Sequence, residues 1–210
     1  MPHPKQIDSD VVLRAAMELL EAGGPSGISL RGVAAKLGVK APSLYRYFAE
    51  KAALEQALVE EGTRLLYLEL VQACEIEAGF ASRPEGQLRA LAEAYVGFAR
   101  RRSAIYFFLM QQASEPNQSP SGKKLWNMLL AVIRTISGNP DDTDSAVAAW
   151  SFLHGFVGLE RFGRFGPSGP KDRFEHGLEA LFLLCKTKRV PATERSIAKP
   201  LDSLQGKLWG

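Results

Sequence analysis

The sequence predicts an all-α fold of about nine helices, in which a small three-helix N-terminal unit is joined by a long helix to a larger helical domain. Apolar residues recur at helical spacing along almost the whole chain, strand alternation is nearly absent, and the breaks between periodic runs carry glycine, proline or asparagine. With 210 residues, 46% of them hydrophobic, the chain has ample material to bury a core.

The first helix starts after Asp8 or Ser9 as N-cap. It runs through Val11, Val12, Ala15, Ala16, Leu19 and Leu20 to the break at Gly23-Gly24-Pro25. Leu30, Val33, Ala34 and Leu37 make a second, short apolar face between Ser29 and Gly38. A third helix is predicted from Ala41-Pro42, since proline suits a first helical turn, and Leu44 and Phe48 turn inward at i and i+4. From Lys51 to about Ala78 the pattern continues through Leu54, Leu58, Leu65, Leu66, Leu68 and Val71, interrupted at Gly62. Five further helices are predicted at about 85–101, 103–113, 122–137, 142–162 and 171–187. Past Arg189 the apolar content falls, and 190–210 reads as a flexible tail.

Several classes are disfavoured. Cys74 and Cys185 are far apart and match no metal spacing, so two free thiols are expected. His3, His154 and His176 add no metal pattern, and neither a G-x-S-x-G elbow nor a P-loop occurs, which points away from an enzyme and from any cofactor. The first residues contain no signal-peptide core and no apolar run reaches bilayer length, so a soluble cytoplasmic protein without a membrane partner is expected.

A net charge of +3 and a pI near 8.9 decide little by themselves. The distribution decides more. Arg31, Lys36, Lys40, Arg46 and Lys51 face the single acid Glu50, whereas residues 1–30 hold four acids against two basic side chains. Two short helices joined at Gly38 describe a helix-turn-helix, with Ala34 small enough for the second helix to approach the first. Val39 and Leu44 pin the second helix inward. Lys40, Ala41, Pro42, Ser43, Tyr45, Arg46 and Tyr47 are then left outward at the end that meets base edges in a major groove.

The stretch SLRGVAAKLGVKAPSLYRYFAEKAAL, residues 29–54, resembles the DNA-binding signature of the TetR family of bacterial transcriptional regulators. The elements that match are Leu44-Tyr45-Arg46-Tyr47-Phe48, then Lys51 and Leu54, and the likeness extends over about residues 8–58. It implies that Ser43, Tyr45, Tyr47 and Lys51 hold phosphates, Lys51 from the start of the fourth helix. Arg31 and Arg46 are candidates for base edges, and Ala41 and Pro42 suit a thymine methyl. The alternatives are that Arg31 contacts phosphate only and that Tyr47 is partly core. Lys36 reads as solvated surface.

The resemblance also implies the layout: a helix-turn-helix DNA-binding domain over 1–50 and a ligand-binding and dimerisation domain over 51–189. One short recognition helix reads few base pairs, so a homodimer on a palindromic double-stranded operator is expected. TetR-like proteins dimerise through their last two helices, here about 142–162 and 171–187, where Gly155 and Gly158 would permit close approach. The run AAWSFLHGFVGLERFG, residues 148–163, resembles a C-terminal subgroup marked by Trp150 and the His154-Gly155 pair. A small, mainly apolar or aromatic effector is implied, with Tyr95, Phe98, Phe107, Met110, Trp126, Trp150 and His154 as candidate contacts. The plainer reading of each is packing, and of His154 a buried imidazole hydrogen-bonded near the interface. A dimeric repressor released by its ligand is the function expected; the alternative is a DNA-binding regulator or architectural protein with no effector.

Overall fold

The computed structural model describes residues 7–78, 83–112, 119–169 and 171–187. Among them are eight α-helices: α1 Ser9–Gly23, α2 Leu30–Leu37, α3 Lys51–Ala78, α4 Pro84–Arg101, α5 Ser103–Gln111, α6 Pro120–Ser137, α7 Thr143–Arg161 and α8 Arg173–Lys186. The tail expected at 190–210 lies outside the described residues.

The predicted third helix is a correction. Ala41–Leu44 forms a four-residue 3-10 turn rather than an α-helix. Pro42 has no N–H to give to an i−4 carbonyl, and the Lys40 carbonyl is taken at i+3 by both the backbone N–H (3.0 Å) and the hydroxyl (2.7 Å) of Ser43. The Leu44 carbonyl then accepts from Tyr47 and Phe48 before the chain opens at Ala49-Glu50. Tight i+3 bonding is preferred where a segment is this short.

The first helix begins where the carboxylate of Asp8 accepts from Val11 N–H at 2.8 Å, and it buries Val12, Ala15, Ala16 and Leu20. Its inner face packs on α2, α3 and α5. The 28 residues of α3 span about 42 Å at 1.5 Å per residue, and its buried Leu54, Leu58, Leu66 and Leu70 continue one hydrophobic cluster from the N-terminal helices into the body. Gly62, read in sequence as an interruption of α3, has a packing reason. A Cβ there would come within 3.0 Å of both Ile105 and Leu109, so a larger side chain would push α5 away.

Around α3 the remaining helices pack in pairs, α4 against α5, α6 and α7, and α8 against α6 and α7. The triple arginine that closes α4 fans out to three helices: Arg100 to Glu160 of α7, Arg101 to Glu69 of α3 and Arg102 to Glu21 of α1. Each exposed pair contributes at most about 1 kcal/mol, but together they orient α4 against α1, α3 and α7.

Candidate nucleic-acid interface and small-molecule site

The N-terminal candidate site is built by local caps. Ser29 accepts from Gly32 N–H at 3.0 Å to start α2, and Gly38 stops it in the left-handed region at φ 71°, where only glycine sits without strain. Val39 N–H donates to the Ala34 carbonyl at 3.0 Å, which turns the chain back over the buried Ala34. Leu44, fully buried, and Phe48 anchor the next segment on the core. The intervening side chains therefore point to solvent. Tyr45 is half exposed, and Arg31, Lys40, Pro42 and Arg46 are all exposed.

No carboxylate pairs with Arg31, Lys40 or Arg46 among the described residues, whereas Lys36 is tied to Glu18 at 2.8 Å. Arg46 lies over the Tyr47 ring at 4.7 Å and donates to its hydroxyl at 2.6 Å, and that hydroxyl donates to the Ile7 carbonyl. Tyr47 is thus half-buried and occupied within the chain. Lys51 opens α3 with its ammonium exposed and 3.1 Å from Glu55. The result is a shallow positive ridge whose cations have little to hold them inward, a surface suited to phosphate oxygens and base edges.

The second candidate site lies between α4, α5, α6 and α7. The Tyr106 hydroxyl is 2.8 Å and the Tyr95 hydroxyl 3.0 Å from Nδ1 of His154, and the two hydroxyls are 3.2 Å apart. Burial pushes the His154 pKa down to about 4, so the ring is neutral at pH 7, with one ring nitrogen an acceptor and the other a donor. Burial likewise raises both tyrosines, Tyr95 further through its neighbour Tyr106. Trp150 stacks on the imidazole at 5.4 Å between centroids, and Trp126 packs on Trp150 at 5.5 Å.

Two spaces flank this column. A groove of about 660 Å³ between α6 and α7 runs past Lys123, Trp126, Asn127, Val147 and Trp150. A separate inner cavity of about 20 Å³, sharing Trp150 with the groove, is walled by Leu70, Leu91, Tyr95, Leu125, Leu129, Trp150 and Leu153.

Residues 12–58 match the family model for bacterial regulatory proteins of the tetR family, and residues 88–181 match that for the tetracyclin repressor-like C-terminal domain. The chain belongs to the TetR family. Over 55 residues it is 42% identical to the class A tetracycline repressor protein from transposon 1721 of Escherichia coli, covering 26% of each chain. It is 31% identical over 142 residues to the HTH-type transcriptional repressor DrrR1 of Streptomyces coeruleorubidus, which is 66% of this chain and 47% of that one. The chain thus spans about a quarter to a half of these curated relatives. In fold it is similar to a protein of unknown function from Rhodococcus sp. RHA1, with TM-score 0.73 and 24% identity over 87% of this chain and 98% of that one.

In this TetR-family chain the nine residues proposed from sequence for nucleic acid, Arg31, Lys40, Ala41, Pro42, Ser43, Tyr45, Arg46, Tyr47 and Lys51, fall on α2, the extended residue before the 3-10 turn, the turn and its continuation, and the start of α3. The seven proposed for a ligand divide. Tyr95, Trp126, Trp150 and His154 come together in one column. Phe98 is fully buried in the core, Met110 is exposed, and Phe107 packs edge-on against Tyr106 at 5.2 Å between centroids, with Arg161 and Phe162 as its other contacts. Leucines of the inner cavity were invisible as site residues, because their spacing is that of any core face. Glu60 was missed as well. Its carboxylate reaches from α3 to the first turn of α6, accepting from the Ser121 hydroxyl at 2.6 Å, the Ser121 N–H at 3.1 Å and the Ser119 hydroxyl at 2.5 Å. Burial acts to raise its pKa, but these bonds and Lys124 outweigh that and hold it below the usual carboxylate value. No sequence signal joins residues so distant.

Proposed function

We propose that this chain is a DNA-binding transcriptional regulator, a repressor that acts as a homodimer on a palindromic operator and works in the cytoplasm. The observation that carries this reading is the ridge around Gly38, where Arg31, Lys40 and Arg46 stand exposed, with no carboxylate partner among the described residues, beside a half-exposed Tyr45. Lys51 and Tyr45 serve as phosphate contacts and Arg46 or Arg31 as readers of base edges. Tyr47 has a different role: its hydroxyl, bonded to Ile7 and Arg46, positions Arg46.

Dimerisation is supported by apolar side chains left exposed on the last two helices: Val147 and Leu159 of α7, Phe162 just beyond it, and Leu183 and Leu184 of α8. Gly155 of α7 is exposed with no atom near its missing Cβ, leaving room for a second backbone.

Release of DNA requires a ligand that binds better to a dimer whose heads are wrongly spaced for successive grooves, about 34–36 Å apart. The lever is α3, which carries Lys51 at one end. Its link to the ligand region is the Glu60 carboxylate, which grips the turn of α6 bordering the groove. A regulator without an effector is the second reading, favoured by the small volume of the inner cavity.

The test is to incubate the purified chain with fragmented genomic DNA and sequence what it retains. Enrichment of one inverted repeat is expected, with a dimer mass by light scattering. Retention without sequence preference would sink the regulator reading.

A further inference from the structure

Trp150 belongs to both spaces described above. It lines the outer groove with Trp126 and Val147, and it walls the inner cavity with Leu91, Tyr95 and Leu153. The cavity as it stands has room for about one water molecule. The groove is large enough for a small organic ligand, whose sites run from about 300 to 1,000 Å³. Among the described residues, Trp150 is the one side chain common to the lining of a space that can admit a ligand and of the smaller cavity beside it.

The chemistry of the walls restricts what would be enclosed. Apart from the Trp150 indole N–H, Tyr95 is the one polar side chain of the inner lining among the described residues, and its hydroxyl meets the Tyr106 hydroxyl and a neutral imidazole. Among the described residues no charged side chain lines the cavity, and the one cation of the groove, Lys123, is exposed. Burying an ion there would leave it without a counter-charge, which is far more costly than burying a hydroxyl or carbonyl that finds a hydrogen bond. Trp150 stacks on His154 with 25° between the ring planes, whereas Trp126 lies tilted against Trp150, so moving the Trp150 indole uncovers the flat face of the imidazole.

We propose that Trp150 is a movable partition between groove and cavity, and that the joined space takes a flat, uncharged, mostly apolar molecule with one hydroxyl or carbonyl group. The molecule replaces the Trp150 indole against His154 and hydrogen-bonds to the Tyr95–His154 pair. This inference rests on the proposal that the C-terminal helices bind an effector, and adds its chemical class and its route.

The experiment uses the full chain at pH 7.5 with three probes of one shape: neutral 2-naphthol, anionic 2-naphthoate and protonated 2-naphthylmethylamine. Calorimetry is expected to show one 2-naphthol per chain, bound at least about ten-fold more tightly than either ion. Tyr95→Phe should reduce the preference for 2-naphthol over naphthalene by about five- to ten-fold, the effect of one buried hydrogen bond, with the melting transition kept cooperative. Trp150→Ala should raise the 2-naphthol association rate by about ten-fold in stopped-flow, because no partition has to open first. Trp150→Phe, a milder change, should raise it less and serves if the alanine variant unfolds.

Tighter binding of either ion, absence of 2-naphthol binding, or an association rate unmoved by both Trp150 variants would overturn the inference. The wider effector reading fails separately. If the operator complex is dissociated by low-molecular-weight extract while 2-naphthol is rejected, the effector reading stands and this chemistry falls. If 2-naphthol binds in a Tyr95-dependent way and neither it nor extract loosens DNA, the site stands and the release falls.

Discussion

The two candidate sites of this chain are built on opposite plans. In the N-terminal head most of the bonds that shape the ridge join residues three to five apart: Ser29 to Gly32, Val39 to Ala34, Ser43 to Lys40. The functional side chains are what these bonds leave outside. In the body, the bonded groups are 48 and 59 residues apart, where Tyr106 and Tyr95 meet His154, and they face inward. A site for a long, charged partner needs reach and exposed cations, whereas a site for a small molecule needs enclosure and neutral, satisfied polar groups. The first can be made by a short stretch of chain, the second only by several helices converging.

If this contrast is right, the head still depends on the core through a few anchors. Leu44→Ala is expected to have the largest effect, a loss of about 2–5 kcal/mol in urea unfolding, since Leu44 is fully buried beneath the ridge. A loss under about 0.5 kcal/mol would mean the head does not share the core cluster.

The body responds to pH instead. His154 has a pKa of about 4 in the folded chain against 6.5 ordinarily, so the unfolded chain binds the proton first. Its contribution to stability is complete above about pH 6.5 and is lost as pH falls toward 4, with a slope of up to about 1.4 kcal/mol per pH unit. Comparing denaturation midpoints of the wild type and His154→Gln between pH 7 and 4.5 checks this, and the variant should show a shallower decline. Parallel curves would place the proton uptake elsewhere.

A smaller change tests the turn. Gly38→Ala keeps open space around the new methyl but forces a left-handed backbone, and should cost about 1–2 kcal/mol in thermal unfolding. Smallest in stability is Lys51→Ala, within about 0.5 kcal/mol, because Lys51 is itself exposed and its carboxylate partner among the described residues is the i+4 Glu55. Its effect belongs to the DNA complex, where the salt slope of binding should fall by about one unit for operator and scrambled DNA alike. An unchanged slope would remove Lys51 from the phosphate contacts.

Legibility in the sequence follows the same division. The caps at Asp8 and Ser29, the stop at Gly38 and the inward turn of Leu44 could be read because each is a relation among neighbours. The third helix was misread for a local reason too: helical spacing of Leu44 and Phe48 does not distinguish an α-helix from a 3-10 turn, and the Ser43 bonds to Lys40 decide it. In the body, Trp150 and His154 could be suspected from one helix, but their stacking and the two tyrosines beside them could not be separated from ordinary packing. Phe98 and Met110 carry the same aromatic or apolar signal as Tyr95, and only the rotation of each helix sends one into the core, one to solvent and one to the cavity.

What the amino-acid order by itself determined is therefore the helical class, the turn at Gly38 and the positive, weakly paired stretch from Arg31 to Lys51, all of which arise from interactions within a few residues. The neutral His154 cluster, the shared wall at Trp150 and the Glu60 grip on α6 were decided by tertiary structure alone. They depend on which faces of distant helices meet, and that is set by the packing of the whole core, in which a one-residue rotation of a helix would exchange every partner.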